Sequence, residues 1–158
     1  TITYQFGEVT PASGTENFDL TAETNLLNIS TELKSVTNQA MQALSSVADI
    51  QFKLVQSSSI VPSDTGMTIG IGQGLVDNDI AGVTSYNDLQ FPKISEADIL
   101  IDEYYATAAY VQKGSFGFMV MLHEIGHALG LKHPFEQESE SGVGSTLLPA
   151  QWDSIDYT

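Results

Sequence analysis

Residues 123–134 read His-Glu-Ile-Gly-His-Ala-Leu-Gly-Leu-Lys-His-Pro, and the three histidines of the chain, His123, His127 and His133, all fall inside this stretch. On an α-helix, residues four apart differ by about 40° in azimuth and about 6 Å in rise. The imidazoles of His123 and His127 therefore point the same way and can share one ion. Glu124 is turned by about 100° from His123, too far to join as a third ligand. It can still reach a water on that ion, where a general base is wanted. Gly130 can take positive φ and stop the helix, so the chain turns back and His133 completes a three-nitrogen site. Three neutral imidazoles suit zinc and leave a fourth position open for water.

Moving outward, Ser115 can cap a helix running to about Leu129, with Phe116, Met119, Val120 and Leu122 as its apolar flank. Before it, Ala97 to Asp102 (ADILID) alternates β-formers with acids at Asp98 and Asp102 and reads as a strand. Met67 to Ile71 reads as a strand carrying one glycine, Gly70. Gly72 to Asn87 reads mostly as loop, with Val83 to Tyr86 extended. Ile50 to Leu54 and Ile2 to Phe6 alternate and read as two more strands. Between them Leu26, Ile29, Leu33, Val36, Ala40, Leu44 and Val47 recur at spacings of three and four, which predicts one long amphipathic helix from about Leu26. Pro11 and Gly14 mark one loop, and Ser57 to Gly66 another. Phe135 to Thr158 is acidic and irregular. No repeat or linker divides the chain, so residues 1–158 read as one domain.

The composition narrows the function. The chain has 158 residues, 42% of them hydrophobic, with 20 acidic residues against 5 basic ones for a net charge of −15. All five cations are lysines. Phosphate binders need clustered cations, so nucleic acid and anionic membrane surfaces are excluded as partners. No apolar run approaches the roughly 20 residues of a membrane span. Cysteine is absent, so there is neither a disulfide framework nor a thiolate metal site. Thr1 to Phe6 does not resemble a signal peptide. The acidity without cysteine fits an exported protein, and also a salt-adapted cytoplasmic one.

A bare HExxH arises often by chance. Gly130, His133 and Pro134 at fixed offsets add specificity: at average usages of about 7% Gly, about 5% Pro and roughly 2% His, the addition occurs by chance at below roughly 1 in 10,000. Core histidines with a helix-capping glycine would explain one His, but not three at this spacing. An open zinc site lowers the pKa of bound water to about 7 and polarises a carbonyl oxygen. With Glu124 taking the proton and passing it to a leaving amine, the reaction class is amide hydrolysis, most simply of a peptide bond.

These residues resemble a known family. HExxHxxGxxH, from His123 to His133, is similar to the signature of metzincin zinc endopeptidases. Pro134 directly after the third His resembles the serralysin branch. TITYQF (1–6) resembles that domain's first strand, VADIQFKL (47–54) its helix-to-strand junction, and Ala97–Asp102 the strand before the active-site helix. The resemblance implies an α/β (α+β) fold: a twisted, mostly parallel sheet with an antiparallel edge strand, one long backing helix and a zinc-binding active-site helix. It assigns Ala97–Asp102 as the edge strand that pairs with an extended peptide substrate. It also implies protein or peptide substrates and secretion.

Two features depart from the family. Phe135 stands where the family usually has Gly. The family's downstream Met-turn has no counterpart: Met41, Met67, Met119 and Met121 all precede His133, and the chain ends Ser154-Ile155-Asp156-Tyr157-Thr158. The expectation is an amino-terminal part of a catalytic domain, with the Met-turn on a missing carboxy-terminal segment. The leading reading is a zinc endopeptidase with His123, His127 and His133 as ligands and Glu124 as base. The alternatives are an inactive metzincin-like zinc-binding or protein-interaction module, and a zinc amidase acting on a non-protein substrate.

Weaker signals remain. Asp77, Asn78, Asp79 and Asp88 could hold calcium, although a solvated acidic loop is simpler. Tyr104, Tyr105 and Tyr110 could line a substrate groove, although packing is simpler. Asn28-Ile29-Ser30 is a sequon read as incidental on a helical face. Met119 and Met121 read as core.

Overall fold

A computed structural model describes residues 1–7, 26–27, 29–55, 66–73, 75, 80–86, 89–90, 93–94, 96–131 and 133. The strands are β1 (Ile2–Phe6), β2 (Leu26–Leu27), β3 (Phe52–Leu54), β4 (Gly66–Gly72), β5 (Gly82–Tyr86), β6 (Leu89–Gln90), β7 (Lys93–Ile94) and β8 (Glu96–Asp102). The helices are α1 (Thr31–Val47) and α2 (Phe116–Ala128).

Six strands form one sheet in the order β3-β1-β4-β8-β5, with β2 also paired to β4. β3, β1, β4 and β8 run parallel, while β5 is antiparallel to β8 at the end of the sheet. This is the expected α/β architecture. β6 and β7 pair separately as a short antiparallel ladder.

Period-two alternation decides what each face of the sheet meets. Met67, Ile69 and Ile71 of β4 lie beside Ala97, Ile99 and Ile101 of β8 in register. All six are buried and share a core with Leu33, Val36, Ala40 and Met41 of α1 and with Phe118, Val120, Met121 and Ile125 of α2. The two helices therefore pack against the same sheet face. Leu100 starts a second, smaller cluster on the other face with Leu75, joined by Ile80 and Val83.

Three expectations are corrected. First, α1 starts at Thr31, not near Leu26. Leu26 and Leu27 pair with Gly72 and Ile71 as a strand, and the Ser30 hydroxyl caps the helix by accepting from the Leu33 N–H at 3.0 Å. Ser30 of the sequon is thus a cap residue rather than part of a helix face; Asn28 lies outside the described residues. Second, Val47 does not join the apolar face: it is 83% exposed in the last helical turn. Third, Ala97–Asp102 is not the edge strand. It is flanked by β4 and β5, and the antiparallel edge belongs to β5, whose Val83 to Tyr86 the sequence reads as extended within a mostly loop-like stretch. The interior position also explains why Asp98 and Asp102 are buried rather than solvated. Asp102 closes the strand: its Oδ1 accepts from the Tyr104 N–H at 2.8 Å, and its carbonyl accepts from the Tyr105 and Ala106 N–H groups.

Candidate metal centre and its carboxylate

α2 begins and ends on clear local chemistry. The Ser115 hydroxyl accepts from the Phe118 N–H at 3.3 Å and donates to the Tyr110 carbonyl, tying the preceding turn to the helix start. At the other end Gly130 has φ +92°. The Leu131 N–H donates to the Gly126 carbonyl at 3.0 Å and the Gly130 N–H to the His127 carbonyl at 2.7 Å. This pair of bonds is a Schellman motif, and only glycine takes its left-handed residue without strain. The turn reverses the chain and brings His133 back beside the helix.

The structure brings the three histidines together. Their Nε2 atoms form a nearly equilateral triangle with edges of 2.9 Å (His123 to His127), 2.9 Å (His123 to His133) and 3.0 Å (His127 to His133). Nitrogens around a tetrahedral zinc with bonds of about 2.0–2.1 Å sit about 3.3 Å apart, so this triangle needs only slight opening to receive one. The His127 Nδ1 lies 2.8 Å from the Leu131 carbonyl. A carbonyl only accepts, so Nδ1 carries the proton and Nε2 presents its lone pair. Such an outer contact commonly orients a metal-bound imidazole. His123 is exposed while His127 and His133 are half-buried, so the cluster opens to solvent on one side. These residues can hold one metal ion.

Glu124, one residue along from His123, lies against β5 and is only 5% exposed. The Thr84 hydroxyl of β5 lies 2.7 Å from its Oε2 and 3.0 Å from its backbone carbonyl. Burial pushes the Glu124 carboxyl above its ordinary range; the Thr84 hydrogen bond and the nearby His127 and His133 pull it partly back. Gly82, two residues before Thr84, leaves room for the same side chain. A methyl there would sit 2.9 Å from Glu124 Cγ and Val120 Cγ1, and 3.1 Å from Glu124 Oε1.

Thr84 and Gly82 were not singled out from the sequence. Their contact with Glu124 spans about forty residues, and only their shared strand face, two apart, hints at it. Tyr104, Tyr105 and Tyr110 form an aromatic cluster with Phe116, with ring centroids 4.9–5.6 Å apart. Tyr104 and Tyr110 also hydrogen-bond through their hydroxyls at 2.9 Å. The cluster packs around the start of α2. Met121 is fully buried in the core, as expected, whereas Met119 is half-buried and does not join that core cluster. Asp77, Asn78, Asp79 and Asp88, Pro134, Phe135 and the carboxy-terminal stretch lie outside the described residues.

The profile of the matrixin family (peptidase M10) matches residues 12–140, from before α1 to beyond His133. No curated protein matches the chain. With most of its length covered by that match, and with the fold and the three-histidine cluster in place, the chain belongs to the matrixin family of zinc-dependent metalloproteases.

Proposed function

We propose that this chain is a zinc-dependent endopeptidase in which His123, His127 and His133 hold the metal and Glu124 is the general base. The observation that carries the reading is the triangle of three Nε2 atoms within 3.0 Å of one another, with a buried carboxylate one residue along the same helix. Zinc in such a site supplies a Lewis acid for the peptide carbonyl and makes water acidic enough to attack near neutral pH. The protein's own groups do the rest. Glu124 takes the proton of the attacking water and passes it to the leaving amine.

The substrate is an extended peptide laid along β5. That strand is antiparallel at the end of the sheet and runs past Glu124, and an exposed edge recruits a peptide through main-chain hydrogen bonds. Pro134 supports placement in the serralysin branch. The family likeness, taken with the net charge of −15 and the lack of cysteine, supports action outside the cell.

Casein hydrolysis by the purified chain, compared with Glu124→Ala, tests the reading. The expected outcome is hydrolysis by the wild type that Glu124→Ala loses while retaining one zinc per chain. Zinc retained by the wild type with no cleavage of casein or of a peptide library would instead favour an inactive zinc-binding module.

A further inference from the structure

The strand that offers its edge to the substrate also grips the base. Side chains two apart on a strand share a face, and on β5 that face meets Glu124 at both Gly82 and Thr84. Thr84 has one hydroxyl proton. Both of its acceptors, Oε2 at 2.7 Å and the carbonyl at 3.0 Å, belong to Glu124, and the carboxylate is the nearer and more strongly accepting. Gly82 adds a steric limit: Glu124 Cγ fills the volume that a Cβ would take. Among the described residues Oε1 has no hydrogen-bond partner, so it is the oxygen left to receive a proton.

We propose that Thr84 is the positioning residue of the general base, acting with Gly82 as a mould on β5 that fixes the Glu124 carboxylate through Oε2 and leaves Oε1 to work. This rests on the reading of Glu124 as the base. The strand that aligns the peptide and the group that activates water are then one rigid unit. A substrate paired to β5 is in register with the base without any separate adjustment.

Three variants test this in the zinc-loaded protein: Thr84→Val keeps the shape and removes the hydroxyl, Thr84→Ser keeps the hydroxyl, and Thr84→Ala stands in if the valine variant fails to fold. General acid–base catalysis supplies about 10²–10⁴-fold, so kcat is expected to fall about 10- to 100-fold in Thr84→Val, with KM changed by less than about twofold and zinc content unchanged. Thr84→Ser is expected to recover most of the rate. A merely structural threonine would lower the thermal midpoint without this separation of kcat from KM or the rescue by serine. The independent readout is a pair of crystal structures without metal. The carboxylate is expected against Thr84 in the wild type and swung away in Thr84→Val. An unchanged kcat, or a carboxylate in the same place in both structures, overturns the proposal. If the wild type hydrolyses nothing, the endopeptidase reading fails, and the two structures alone decide whether Thr84 positions Glu124.

Discussion

The third histidine depends on the backbone of one residue that carries no side chain. Gly130 turns the chain at φ +92°, and His133 reaches the triangle only because of that turn. A side chain in this conformation costs about 1–2 kcal/mol. Gly130→Ala is expected to lower stability by about that amount and to weaken zinc binding, read by thermal denaturation and by competition with a chelator. Unaltered zinc affinity would mean that the turn does not place His133. Tyr4 gives a second prediction. Its part-buried hydroxyl donates to Asn38 Oδ1 at 2.8 Å, and burial raises its pKa, so the fold favours the neutral phenol. That stability is fully present below the unfolded value of about 10 and is lost as pH rises through the raised folded value. Urea midpoints between pH ~8 and ~11 are expected to fall further for the wild type than for Tyr4→Phe. Equal falls would rule out Tyr4 as the source. The histidines and Glu124 were legible because their spacing is a local helical pattern. Thr84 was not, because nothing local marks a threonine whose partner is forty residues away.

Among elements, α2 is held as much by what precedes it as by its own sequence. The turns between β8 and α2 lay the carbonyls of Tyr105 and Tyr110 against Gly117, where a methyl would sit 2.6 and 2.5 Å from them. Alanine is the better helix former by about 1 kcal/mol, yet here it would force backbone apart, at a typical cost of about 1–3 kcal/mol. Gly117→Ala is therefore expected to destabilise the protein in urea denaturation, and a gain in stability would contradict the packing. Elements with clean periodicity were readable: β1, β4, β8 and α2 agree with the sequence to within a residue or two. β2 and β5 were harder, because long-range pairing makes them strands. Leu26 and Leu27 fit a helical period as well as a strand, and Ser30 then sets where α1 begins. Val83–Tyr86 reads as extended from the sequence and is so in β5, but its glycine- and aspartate-rich approach hides that it pairs with β8 at the end of the sheet. The same pairing puts the antiparallel edge on β5 rather than β8.

At the scale of the whole molecule, the sheet and α2 meet at one corner, where the three histidines and Glu124 lie. α2 and the turn after it carry three nitrogens on the solvent side, while β5 holds the carboxylate on the protein side. The general architecture was legible because the histidine motif and three regular strands point to one fold. The order of strands at the edge was not, since alternation gives a strand its faces but not its neighbours. The central claim is that one zinc in the histidine triangle makes this chain a peptidase. The most direct test adds zinc back to chelated protein in sub-stoichiometric steps and reads cleavage of a peptide library by mass spectrometry. The expected result is cleavage that rises linearly and stops rising at one zinc per chain. Cleavage that is indifferent to zinc, or zinc bound at one per chain with every peptide intact, would contradict it.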